Sequence, residues 1–247
     1  MTPPLTPALK AKIEPQGIYI LIACERSQEV CKAFRALGFQ AFSCDTEDEY
    51  GGHAEWHIKG DAIKALYSRA WDLVIAHPPC TRLANSGVLW LVRKKPTKGY
   101  TWDERFQLYI RDDDQIWNDL IDGCNFFNKF VLYGKLGHKI SIENPVQHKY
   151  AKEEITAPHT QTIEPYQFGH LEKKKTCLWN FGLPALNETN NVYDEMMKLS
   201  YAERAKVHYA SPGPQRATIR SKTYTGIAQA MADQWGTFLL TELNKKQ

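Results

Sequence analysis

The sequence predicts an α/β fold, a doubly wound and mostly parallel sheet flanked by helices. Three observations predict it. Short apolar runs rich in β-branched residues recur at residues 18–23 (IYILIA), 40–44 (QAFSC), 72–76 (DLVIA) and 139–142 (KISI). Stretches with helical spacing alternate with them, and strands that alternate with helices pair in parallel. Side chains able to do chemistry follow these runs: Glu25, Asp45, Cys80 and Glu143. In open α/β sheets, sites form beyond the carboxyl ends of the strands.

Taken in order, the first fifteen residues hold four prolines and read as an irregular lead-in. Residues 18–23 are the first buried strand. Residues 29–37 form a helix that Gly38 ends, as a glycine does after a last helical turn. A second strand runs over 40–44 and reaches Asp45. After a polar, glycine-containing stretch, Gly60-Asp61 opens a short helix over 62–68. The strand at 72–76 runs straight into His77-Pro78-Pro79-Cys80. Residues 81–103 read as a long mobile loop, and a helix is expected over much of 104–133. The strand at 139–142 leads to Glu143-Asn144-Pro145, and a later strand covers 176–179. Residues 182–215 are irregular, with one short helix near 193–199, and a C-terminal helix covers 226–240. The organisation is then a lead-in over 1–17, a core over 18–181, a small basic region over 182–222, and a closing helical segment over 223–247. No internal repeat or low-complexity segment is present.

A length of 247 residues fits one α/β domain, and 43% hydrophobic with 24% charged residues excludes wholesale disorder. The net charge of +3 is compatible with nucleic acid but does not argue for it. The six cysteines, Cys24, Cys31, Cys44, Cys80, Cys124 and Cys177, form no CxxC pair. No apolar run is long enough to span a bilayer, and Met-Thr-Pro-Pro lacks a signal-peptide core. A reducing cytoplasm, no membrane and no metal are the expectations.

Two prolines stiffen the turn that carries Cys80 and fix where its thiol points. Such a thiol becomes a nucleophile where positive charge or amides favour the thiolate. A small buried cysteine closing a strand is the plainer alternative. Glu143, leaving a buried strand before a proline, is expected to be poorly solvated; burial raises a carboxyl pKa and lets the acid donate a proton. A capping or salt-bridged glutamate is the alternative there. Together the pair suggests covalent pyrimidine chemistry, with a cysteine adding to C6 while the ring is protonated at N3 and C5 attacks a methyl donor. A duplex base must first leave the stack, and the loop after Cys80 is placed to close over it.

Ala76-His77-Pro78-Pro79-Cys80 with Asn85-Ser86-Gly87 resembles the catalytic motif of the DNA cytosine-5 methyltransferases, in which Pro-Cys is followed by Ser and Gly. Ile142-Glu143-Asn144 is similar to their Glu-Asn-Val motif. Gly60-Asp61-Ala62-Ile63 resembles their Gly-Asp-Ile motif, whose aspartate lies near the adenine of S-adenosylmethionine (SAM). Phe168-Gly169, then Glu172 and Lys173, Lys174 and Lys175, resembles Tyr-Gly-x-Pro-Gln-x-Arg with lysines for arginines. The order is right, and the patchy resemblance spans residues 18–236. It is closer to the short phage and prophage proteins labelled as DNA methyltransferases. It implies a Rossmann-like SAM-dependent methyltransferase fold with a small target-recognition region at 182–222. The catalytic residues implied are Cys80, Glu143 and Lys174. The cofactor, SAM or a modified form of it, would meet Ala23, Glu25, Arg26, Asp45, Asp61, Pro78 and Gly226. DNA would meet Ser86, Arg93, Lys94, Lys173, Lys175, Arg216 and Arg220. A cytoplasmic monomer or weak dimer, in a bacterium or a phage-infected host, completes the expectation.

The sequence departs from the family at its first motif. The family's glycine-rich loop is replaced by Ala23-Cys24-Glu25-Arg26-Ser27, and glycine is what permits close backbone approach there. SAM bound in a changed geometry, a modified donor whose extra charge pairs with Arg26, and a silent site all stay open. A catalytically silent nucleic-acid-binding module and a pyrimidine nucleotide-level methyltransferase are the competing functions. The second lacks the His after Cys that thymidylate synthase-type enzymes carry; Thr81 stands there. An amino methyltransferase ranks last, because His77 and Cys80 hold the outer positions of the Pro-Pro motif.

Overall fold

The computed structural model describes residues 17–245, apart from residues 105, 208, 210–217 and 219. A seven-stranded sheet forms the centre, in the order β3-β2-β1-β4-β8-β10-β9. Its members are β1 (Tyr19–Ala23), β2 (Gln40–Asp45), β3 (His57–Lys59), β4 (Leu73–Ala76), β8 (Ile140–Pro145), β9 (Gln161–Ile163) and β10 (Thr176–Phe181). The five strands from β3 to β8 run parallel. β10 is antiparallel to both of its neighbours. This is a doubly wound, mostly parallel α/β fold, as the sequence predicts.

The alternation in the strands explains the layering. In β1, Leu21 and Ala23 join one buried cluster while Ile20 and Ile22 join the other. β4 divides likewise, Val74 and Ala76 against Leu73 and Ile75. One face is covered by α2 (Ala62–Leu66) and α3 (Asp114–Lys135), the other by α1 (Glu29–Ala36) and α7 (Thr225–Asn244). Asp61 caps α2, its Oδ1 accepting from the amides of Ile63 and Lys64 at 2.7 and 2.9 Å.

Two expectations are corrected between β4 and β8. Residues 81–103 are not one loop. They hold a 3-10 turn, Asn85–Trp90, and part of a three-stranded antiparallel sheet of β5 (Val92–Arg93), β6 (Tyr100–Asp103) and β7 (Leu108–Arg111). The helix expected from residue 104 begins ten residues later, at Asp114. Leu108-Tyr109-Ile110 is β-favouring sequence that pairs across to Asp103, Trp102 and Thr101, and Asp113 caps α3 by accepting from the Gln115 amide at 3.2 Å.

Strands β3 and β9 are additions to the sequence reading, and β8 extends through Pro145, so Glu143 lies inside a strand. After β10, two short helices, α5 (Tyr193–Met197) and α6 (Tyr201–Arg204), replace the one expected. α4 (Lys149–Glu154) follows β8. The segment before α5 packs on the core. The Gln161 amide donates to the Leu186 carbonyl at 2.6 Å, and the Trp235 indole donates to the Pro184 carbonyl at 3.1 Å. No helix among the described residues is long and apolar enough to cross a membrane.

Candidate active site

The predicted catalytic pair meets at the carboxyl ends of β4 and β8. Pro78 is buried, and its carbonyl accepts from the Asn144 side chain at 3.0 Å, tying the turn after β4 to β8. Cys80 is half-buried, and its carbonyl accepts from the amides of Leu83 and Ala84 at 3.0 and 2.9 Å, closing a tight turn. The turn is laced to the exit of β8: the Asn85 amide donates to the Val146 carbonyl, and the His148 amide to the Leu83 carbonyl. Gly87 lets this close. A Cβ there would strike the Thr81 carbonyl oxygen.

Burial pushes the Cys80 thiol up, and the Glu143 charge adds to that. Lys174 and Arg220 act against both. The sequence-level expectation for Glu143 is reversed. Burial does press its pKa upward, but the His77 hydrogen bond and the charges of His77 and Lys174 outweigh it, and the carboxyl sits below the ordinary range. His77 Nδ1 lies 3.0 Å from Glu143 Oε2, with side chains 9% and 16% exposed. Two buried polar atoms here have no hydrogen-bond partner, His77 Nε2 and Asn144 Oδ1. Lys174 Nζ donates to the Arg220 carbonyl at 2.7 Å, and Lys174 shares a small pocket with Glu143, Thr176, Thr223, Tyr224, Ile227 and Met231.

The loop after β1 is built from its own groups. Ala23 is buried at the strand end. Cys24 takes a left-handed conformation, φ 61°, which a glycine would adopt without strain. Glu25 is only 4% exposed and accepts from the amides of Val30 and Cys31 at 2.8 and 3.2 Å. It thus caps α1 from outside, since Gln28 at the cap position makes no side-chain cap bond. Burial holds the Glu25 pKa up, while nearby His77 and these amides oppose it. Arg26 is engaged with Glu47 and with the Asp48 carbonyl, the latter at 2.8 Å.

Asp45 ends β2, and Gly60 donates to its carbonyl at 2.8 Å, which brings Asp61 alongside. Both carboxylates act electrostatically on the Cys24 and Cys44 thiols. Two exposed or half-exposed carboxylates at neighbouring strand ends can accept from vicinal hydroxyls. Gly226 opens α7 and donates its amide to His170 Nε2 at 3.0 Å. It must be glycine because a Cβ would strike the Phe168 carbonyl.

Of the basic residues, Lys94 and Lys175 are exposed, as is Ser86. Arg93 lies over the Tyr100 ring, 5.4 Å from its centroid, on the small sheet. The Lys173 amide donates to the Arg204 carbonyl at 2.7 Å, and its Nζ lies over the Tyr193 ring. Arg220 lies within electrostatic reach of Cys80. Arg216 falls outside the described residues. Sequence reasoning missed His77 as the Glu143 partner. The signal for His77 was its place beside Pro-Pro at the end of a buried strand. No group of three or more His, Cys, Asp or Glu among the described residues is arranged to hold a metal ion.

No protein-family model and no curated protein matches the chain. Among solved structures, a match is found with a protein named as a putative DNA modification methyltransferase encoded within a prophage (E. coli), at 13% identity and TM-score 0.37. The match covers 65% of this chain and 45% of that one, and a likeness at this level defines no relationship.

Proposed function

We propose that the chain is a SAM-dependent DNA cytosine-5 methyltransferase in which Cys80 is the nucleophile. The observation that carries this reading is the meeting of Cys80, Glu143, Lys174 and Arg220 beyond β4 and β8. Two basic groups beside a thiol whose pKa burial raises are what a cysteine needs to release its proton when a substrate closes the site. The Cys80 thiol would lose its proton to solvent, and the thiolate sulfur would bond to C6 of an extruded cytosine. Glu143, ionised at rest, would accept from the exocyclic amino group and set the ring against the sulfur. Once C5 carries the methyl group, its proton would pass to solvent as the S–C6 bond breaks, releasing the base and returning Cys80 as a thiolate. Lys174 would support the Glu143 carboxylate.

The residues fit the nucleoside end of an S-adenosyl donor. Asp45 and Asp61 can take ribose and adenine contacts, with Ala23 and Pro78 walling the strand ends and Gly226 opening α7. The amino-acid end would meet Glu25 and Arg26 in place of glycine amides. When bound, the donor supplies a methyl group to C5 of the ring. For DNA, Ser86, Arg93, Lys94, Lys173, Lys175, Arg216 and Arg220 are the proposed contacts, the lysines and arginines with phosphates. Residues 182–222 would be the small target-recognition region.

A second reading, a silent nucleic-acid-binding module, is favoured by one observation. Glu25 already occupies the α1 amides that a donor's carboxylate would use. Incubation with duplex DNA and SAM, with digested nucleosides read by mass spectrometry beside Cys80→Ala, separates the two. 5-Methylcytosine that vanishes in the variant is expected. DNA binding without product would overturn the first reading for the second, and a different mass on cytosine would indicate a modified donor.

A further inference from the structure

On the reading just proposed, ring addition needs a proton at N3, and Glu143, held in its ionised form, has none to give. We infer that His77 is a positioning residue that holds the Glu143 carboxylate and carries the proton Glu143 passes to the ring; this rests on the cytosine reading.

The geometry supports it on three counts. The His77 backbone is fixed, its amide donating to the Ala23 carbonyl at 2.9 Å. Its ring presents Nδ1 to Glu143 Oε2 at 3.0 Å in a side chain nine-tenths buried. Its Nε2 is buried with no hydrogen-bond partner. A buried ring nitrogen without a partner is destabilising, a poor arrangement for a histidine whose only task is packing. The charges around the ring fit a site that takes up and releases a proton. Glu25, from the loop after β1, and Glu143, from β8, both face His77. Glu143 faces His77, Lys174 and Thr176, with Tyr224 on its pocket wall. Cys80 faces Glu143, Lys174 and Arg220.

The step balances. As sulfur bonds to C6, the Nδ1 proton of the imidazolium moves to the Glu143 carboxylate, and Glu143 delivers a proton to N3. The ring is left neutral with its remaining proton on Nε2. When the S–C6 bond breaks, N3 returns the proton by the same path.

Exchange of the C5 hydrogen of cytosine with solvent deuterium tests this without a methyl donor, because addition at C6 makes C5 exchangeable. His77→Asn keeps an amide donor near the Nδ1 position but no titratable ring. Its exchange rate on duplex DNA should fall about 100-fold. A wild-type rate in His77→Asn overturns the inference. In parallel, 13C NMR of the Glu143 carboxyl should show its titration moving up in His77→Asn, since an amide supplies no charge. An unchanged Glu143 titration also overturns it. Should wild-type protein exchange nothing, the cytosine reading falls, and the Glu143 titration alone decides the role of His77. If His77→Asn does not fold, His77→Gln replaces it in both measurements.

Discussion

The loops that leave β1 and β4 start side by side, Ala23 paired with Ala76, and they are built on opposite plans. The first satisfies itself. Glu25 caps α1, Arg26 is taken by the neighbouring acidic stretch, and Cys24 accepts a strained backbone to make the turn. The second leaves groups unspent: a half-exposed thiol, and His77 Nε2 without a partner. A loop whose polar groups are consumed internally serves the fold first. A loop that holds buried polar atoms in reserve is organised for something that arrives later.

The sharpest break to this comparison is Glu25→Ala. It strips two buried helix amides of their acceptor, and we expect a loss of about 2–4 kcal/mol, seen as a drop of roughly 5–15 °C in Tm. A drop under about 2 °C would mean that water replaces the carboxylate and that the first loop is not closed. Next comes Gly87→Ala, which drives the Thr81 carbonyl aside. A stability cost of about 1–3 kcal/mol should accompany a changed alkylation rate of Cys80 by iodoacetamide. An unaltered alkylation rate would show that the thiol does not depend on this turn.

The third prediction uses the opposite pKa directions of the two glutamates. Glu143 is lowered, so its contribution is present above the unfolded carboxyl pKa of about 4.3 and is lost as pH falls through its folded value. Glu25 is raised, so its contribution is complete below that value and is lost as pH rises through its folded pKa. Urea unfolding against pH should therefore show Glu143→Gln flattening the acid-side loss and Glu25→Gln removing a loss on the neutral side. Shifts of the same sign in the two variants would contradict the contrast. The smallest effect belongs to Cys24→Gly. Relief of the left-handed strain, partly cancelled by the backbone entropy of glycine, should leave a gain of about 0.5–1 kcal/mol, read from the urea midpoint.

Strands β1, β2, β4, β8 and β10 of the central sheet were legible because they are locally apolar, and β1 and β4 lie within one residue of where the sequence puts them; β3 and β9, three residues each, were too short to read. The carboxyl-end rule likewise located Cys80 and Glu143. The small sheet was not legible, because β5 is two residues long and its pairing is decided by β7, across a basic turn that reads as loop. The protonation of Glu143 was misjudged for a related reason. Its burial is visible in the local pattern, but its partner His77 lies 66 residues away in sequence. Glu25 is a local case that still escaped, since a cap three residues ahead of the cap position has no familiar spacing.

The lacing at the base of the Cys80 turn has a bearing on tolerance to insertion. Leu83, Ala84 and Asn85 are bonded to His148, Gln147 and Val146 before the chain sets out on its excursion and after it has returned. Anything added at the tip between β5 and β6, residues 94–99, lies beyond that seam. Lengthening an exposed turn costs only about 0.6 kcal/mol per doubling, so a peptide grafted there would be carried by the small sheet while the cysteine keeps its address. The protein thus holds a graft point for a handle, a tag or a foreign loop on the edge of the turn that carries Cys80.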